Sequence, residues 1–189
     1  MSLSQLDEKI ALIVIDLQKG IVALPASPYL IGEVINRAAE LARYFRECGL
    51  PVVLVNVTGG APGRTDADRR RSVSLPPDWA EIVPELNVHP NDYILTKQRP
   101  GAFIGTDLNG YLRQQGVTQV VLAGVATSNG VESTARSAYD HGYNVTLVID
   151  AMTDRDPDMH RHCIEKIFPR LGETATTDEV LRLLNERPK

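Results

Sequence analysis

Two charged residues close apolar runs that read as buried strands, and a small-residue turn follows a third such run. Asp16 ends IALIVID (10–16), Lys97 ends YILTK (93–97), and Gly124 ends QVVLAG (119–124) just before Val125-Ala126-Thr127-Ser128-Asn129-Gly130. A carboxylate at the end of an apolar strand is costly to bury unless something there pairs or uses it. Capping of the following turn is the plainer alternative. An acid brought beside a lysine tunes both groups, and such a buried pair is seldom kept for stability alone. The turn after Gly124 leads into a helix-forming segment, with Thr127 or Ser128 as its N-cap. Its backbone N–H groups would then lie at the carboxyl end of a strand, where open α/β sheets bind ligands. An ordinary strand-to-helix connection is the other reading.

These places converge only if their strands lie parallel in one sheet. Apolar positions at 30, 34, 35, 38, 41, 42 and 45 recur at helical spacing, and Gly49 stops that helix before the strand at 51–57. Further helices are predicted over 106–115, from Val131 to Tyr139, from Asp156-Pro157 to about Phe168, and over 178–185 with Thr177 as cap. Strands are predicted at 144–150, ending in Asp150, and at 173–176. Alternation of strand and helix predicts an α/β domain spanning 1–189. Its form is a three-layer αβα, Rossmann-like six-stranded parallel sheet with helices on both faces.

Between Thr58 and Asn91 the alternation breaks into a polar, glycine-rich insertion. Insertions of this length are usually functional or mobile. Arg69, Arg70 and Arg71 read either as a solvated charge run or as a surface for an acidic ligand or partner. Trp79, the only tryptophan, is expected to pack this loop down rather than to stack a substrate, which is the other reading. With 189 residues, 43% hydrophobic and 23% charged, the chain is long enough for a sizeable core. A net charge of −4 without a long basic run points away from nucleic acid and anionic membranes. No apolar stretch is long enough to span a bilayer, the start lacks a signal-peptide pattern, and two cysteines make no disulfide framework. A cytoplasmic protein is expected.

Val14-Ile-Asp-Leu-Gln18, Thr96-Lys97 with Gly101-Ala-Phe103, and GVATSNGVESTA (124–135) resemble the three motifs of the isochorismatase-like hydrolases. That superfamily includes nicotinamidases, other amide hydrolases and isochorismatases. The resemblance covers nearly the whole chain and implies an Asp–Lys–Cys triad in the amidase members. Here Asp16 and Lys97 match the first two positions, and Gly130 stands where the cysteine would be, as in isochorismatases. It also implies a non-proline cis peptide at Val125–Ala126, and a small-molecule site using Gln18, Arg99, Phe103, Val125, Ala126, Thr127 and Asn129. No cofactor or metal is expected: His89, His141, His160 and His162 form no ligand pattern, and His160 with Cys163 makes only two candidate ligands. A homo-oligomer, dimer or tetramer, is expected from the resemblance and from the 58–91 insertion.

The resemblance to the isochorismatase branch, whose chemistry needs no thiolate, implies cleavage of an enol ether in a small carboxylated substrate. Asp16 would serve as general acid at the vinyl carbon, with Lys97 holding a carboxylate or offsetting charge. The alternatives are a silent member that binds a small acid, and an amide hydrolase using activated water or a serine, Ser128 or Ser133.

Overall fold

The structure, a computed structural model, describes residues 3–64, 66 and 75–187. Six parallel strands form one sheet: β1 (Ile10–Ile15), β2 (Val52–Val57), β3 (Tyr93–Lys97), β4 (Gln119–Val125), β5 (Asn144–Thr153) and β6 (Glu173–Ala175), in the order β3-β2-β1-β4-β5-β6. β1 and β4 are buried along their whole length, which is why they read as continuous apolar runs rather than alternating ones. Ile10, Leu12 and Val14 face one core layer with α2 (Ile31–Glu47) and α6 (Thr177–Asn185). Ala11, Ile13 and Ile15 face the other, with α3 (Leu108–Gln114) and α4 (Glu132–Asp140). The period-2 alternation of β1 therefore splits its side chains between two helical layers. The three-layer fold is as the sequence predicts.

The differences are local. A short helix, α1 (Lys19–Val22), follows Gln18 directly. Leu30 stands outside α2 and is largely exposed, although it continues the apolar spacing. Thr176, not Thr177, caps α6, and it forms a reciprocal capping box with Glu179. Thr127 and Ser128 make no side-chain cap; a π-type turn over Thr127–Val131 leads into α4 instead. Likewise α5 (Pro157–His162), capped by Asp156, passes into a π-type turn at Cys163–Ile167.

The largest departure is β5, which runs on to Thr153 rather than stopping at Asp150. Leu122 pairs with Leu147 but Gly124 pairs with Met152, so the ladder slips between them. Asp150 instead serves α6: its Oδ1 accepts the Thr177 N–H at 2.8 Å. The strand-ending acid on this side is Asp154. Arg69, Arg70 and Arg71 lie outside the described residues.

Gly124 sits where the slip begins, with φ +116, and a Cβ there would lie 2.1 Å from the Ile15 carbonyl oxygen. Backbone, unlike a flexible side-chain tip, cannot yield at that distance. Gly124→Ala is therefore expected to lower stability by roughly 3 kcal/mol, read as a shift in the urea midpoint.

Candidate active site

β1 ends at Asp16, which takes a left-handed backbone conformation, φ 52, uncommon for any residue but glycine. Its N–H still bonds to the Val55 carbonyl at 2.9 Å, so the strand pairing continues while the side chain turns over the strand ends. Lys97 reaches it from β3, two strands away: Lys97 Nζ donates to Asp16 Oδ2 at 2.7 Å and to the Pro100 carbonyl at 2.9 Å. Both side chains are buried. Asp16 Oδ1 is buried without a hydrogen-bond partner among the described residues. Two effects oppose each other at this carboxyl. Burial raises its pKa and the Lys97 ammonium lowers it; burial wins, and the value rises from 3.8 to about 6.

Gly130 closes over this pair. A Cβ on Gly130 would lie 2.8 Å from Ile15 Cγ2 and 3.2 Å from Asp16 Oδ2, so residue 130 abuts the carboxylate. The turn is fastened from below: Thr134 Oγ1 donates to the Gly130 carbonyl at 2.7 Å and accepts the Ala102 N–H at 3.1 Å. Gly101 passes close to the same helix, where a Cβ would sit 3.2 Å from the Ser133 carbonyl oxygen. These contacts join the segment after Lys97 to the turn bearing Gly130. The Val125–Ala126 peptide bond is cis.

Asp16 and Lys97 open into a cleft of about 1010 Å³. Of the residues expected at the site, Arg99, Val125, Ala126 and Asn129 also line it. Arg99 spends one nitrogen on the Gly60 and Gln98 carbonyls.

Three expected contacts need correction. Gln18 is fully buried because both ends of its amide are used: Nε2 donates to the Val57 and Trp79 carbonyls at 3.0 Å, and Oε1 accepts the Val57 N–H. It stitches strand ends to the insertion. Phe103 lies in the core layer of α3 and α4 beside His141 and Tyr143. Thr127 is fully buried, its Oγ1 2.8 Å from His160 Nδ1.

Of the other lining residues, only Trp79 carried a signal in the sequence, as the residue expected to pack the insertion down. Trp79 packs on Gly20, whose added Cβ would strike the indole at 2.1 Å, and it also walls the cleft. Ile21, Leu24, Leu75 and Met159 extend that apolar wall. Asp154 lines the other side, with Oδ2 accepting the Ser128 N–H at 2.7 Å and Oδ1 the Arg155 N–H at 2.8 Å. Ser133 does not line the cleft. Cys163 donates to Glu132 Oε2 at 3.1 Å, and burial, then that carboxylate, pushes its thiol up to about 12. Such a thiol is inert.

A family model described as "Isochorismatase domain" matches residues 10–179. The chain belongs to the isochorismatase family of hydrolases. It is 42% identical to the uncharacterized isochorismatase family protein YwoC of Bacillus subtilis, over 92% of this chain and 93% of that one. The structure of an isochorismatase family protein from Burkholderia thailandensis superposes with a TM-score of 0.92 at 42% identity, covering 96% of this chain and 98% of that one. At 30% identity stand a probable isochorismatase of Pseudomonas chlororaphis, covering 92% of this chain and 86% of its own, and the maleamate amidohydrolase of Pseudomonas putida, covering 93% and 87%. In this isochorismatase-family chain the Asp–Lys pair is therefore set among relatives named for two different bond cleavages.

The raised Asp16 value has a thermodynamic consequence. A carboxyl that binds its proton more tightly when folded favours the folded state at low pH, and that contribution is lost as pH rises from 3.8 through about 6. The span corresponds to roughly 3 kcal/mol. The stability of Asp16→Asn relative to the native chain should therefore improve by about 2–3 kcal/mol between pH 4 and pH 7, measured by urea unfolding at each pH. A constant difference across that range would refute the buried-acid description.

Proposed function

We propose that this chain hydrolyses an enol ether of a small carboxylated substrate by acid catalysis, without a covalent nucleophile. The observation that carries this reading is the buried Asp16 carboxyl, with one oxygen unpartnered among the described residues and a pKa of about 6, facing Gly130 rather than a thiol. Asp16 gives its proton to the vinyl carbon, leaving an oxocarbenium-like centre on the carbon that bears the ether oxygen. Water adds there, and the hemiketal collapses to an alcohol and a ketone, returning a proton. Lys97 and Arg99 hold the substrate carboxylate, and Val125, Ala126 and Asn129 line the reacting end. Gly130 keeps open the space that a side chain would take. The relative named as a probable isochorismatase supports this class of reaction. Association as a dimer or tetramer in the cytoplasm belongs to the same reading. Exposed Leu30, Leu75 and Met159 near the cleft favour a neighbouring copy there, and light scattering that finds monomer alone removes that part.

Amide hydrolysis is the second reading, favoured by the relative named maleamate amidohydrolase. Ser128 lines the cleft, but His160 bonds Thr127 rather than Ser128, and among the described residues no other base bonds that hydroxyl. The silent small-acid binder is the third, and binding without turnover across a panel of enol ethers and primary amides would favour it.

The pH profile separates acid from base. An acid must carry its proton, so kcat/KM on an enol ether should be level below about pH 6 and fall about tenfold per pH unit above it. A profile rising through pH 6 makes Asp16 a base and sinks the proposal. Asp16→Asn should lose about 10²–10⁴-fold. Gly130→Cys should bring no gain on enol ethers, since its side chain meets Ile15 Cγ2 and Asp16 and no step uses a thiolate.

A further inference from the structure

The turn that covers Asp16 is held from α5 by His160, a residue that does not itself line the cleft. α5 begins just after β5, and its buried His160 places Nδ1 2.8 Å from Thr127 Oγ1, with the Tyr29 ring edge-on at 5.8 Å between centroids. From the same segment Asp154 takes the N–H of the next residue, Ser128. Adjacent residues of the turn are thus gripped by one ring and one carboxylate. Asp154 also exchanges backbone hydrogen bonds with Ser27, at 2.7 and 3.0 Å, so the cleft wall at Leu24–Ala26 hangs from the same point.

The contact is directional, not mere packing. Thr127 is fully buried, and valine fills the same volume without a hydroxyl. Burying that hydroxyl unpaired costs about 1–3 kcal/mol, so its partner fixes where the turn can sit. Neither His160 nor Thr127 lines the cleft, and neither contacts Asp16 or Lys97 by a recorded hydrogen bond.

We propose that His160 is a positioning residue of the active site, acting through the Thr127 hydroxyl to hold Val125, Ala126 and Gly130 down on the Asp16 carboxylate. The charged and polar groups that face its ring are the Asp154 carboxylate and the Thr127 hydroxyl, beside the Tyr29 ring. Burial is the larger influence on the imidazole and lowers its pKa, with Asp154 opposing, which favours the neutral ring.

Four variants of the full chain test this, with the Asp16 carboxyl titration followed by carbon NMR and assigned by its disappearance in Asp16→Asn. His160→Leu and Thr127→Val break the contact; His160→Asn and Thr127→Ser keep a partner at the same reach. Loss of the contact should let water onto Asp16 and lower its midpoint from about 6 toward 3.8, by about one pH unit. The Asn and Ser variants should stay near the native midpoint, and the Leu/Val double variant should move no further than either single. Where His160→Leu does not fold, Thr127→Val alone decides, since it exchanges only the hydroxyl for a methyl of similar size. A midpoint unmoved in the folded breaking variants, even with a lower urea midpoint, reduces His160 to core packing and overturns the proposal. So does an equal shift in all four. The readout involves no turnover, so failure of the enol-ether reading leaves this test intact.

Discussion

A carboxylate removed from water at the end of the central strand constrains everything around it. Burying a charge is expensive, and a pair assembled for stability would satisfy every oxygen and nitrogen it buries. Asp16 does not: Oδ2 has Lys97, while Oδ1 has no partner among the described residues. Its backbone is also in a conformation that costs free energy for a non-glycine residue. Electrostatic and conformational strain thus fall on one residue. Both are tolerable because β1 lies between β2 and β4 with every one of its side chains buried, so Asp16 cannot relax without disturbing the middle of the sheet.

The same end of the sheet collects the irregular backbone. Near its end β4 presses a glycine, Gly124, against Ile15, and its ladder with β5 slips at that point. A π-type turn then carries the chain into α4. The slip has a use that regular pairing would forbid. It lets β5 run on beside Val125, so that Thr153 pairs with Val125 and Asp154 comes level with the turn. One residue then anchors the turn with its carboxylate and the Ser27 segment with its backbone. Across the cleft Gln18 does the corresponding job with its amide, tying β2 and the return limb of the insertion to the end of β1.

What the sequence disclosed, and what it hid, divides along the same line. The sheet was legible because apolar runs of five to seven residues have few other fates, and Asp16 and Lys97 were legible because charge at the end of such a run is improbable by chance. Residues that line the cleft from irregular segments, such as Trp79, Leu24 and Arg155, carry no periodicity to betray them. Gln18, Phe103 and Thr127 sit within motifs that do belong to the site, yet motif membership does not say which way a side chain faces. In each case a buried partner decided: backbone amides for Gln18, aromatic neighbours for Phe103, an imidazole for Thr127. Asp150 and Asp154 show the limit most clearly. Asp150 reads as the strand-ending acid, but with the register slip β5 runs on; Asp150 accepts the first N–H of α6 and Asp154 faces the cleft.

On the acid-catalysed reading, the identity of residue 130 decides what the Asp–Lys pair does. A thiol there would stand within reach of Asp16 and would need a base to take its proton, so the useful carboxyl would be the ionised one. Glycine removes that demand, and the carboxyl can keep its proton for a substrate carbon. Lys97 is compatible with either role, because it contacts one oxygen and leaves the other unengaged. Burial, not a particular neighbour, is the larger influence on the Asp16 pKa. Any side chain at 130 would add to that burial while pressing on Ile15 Cγ2 and the carboxylate itself. Acid catalysis on this scaffold therefore calls for the smallest residue at 130, where the turn abuts the carboxylate, and for a turn held firmly enough that the missing side chain does not let water in.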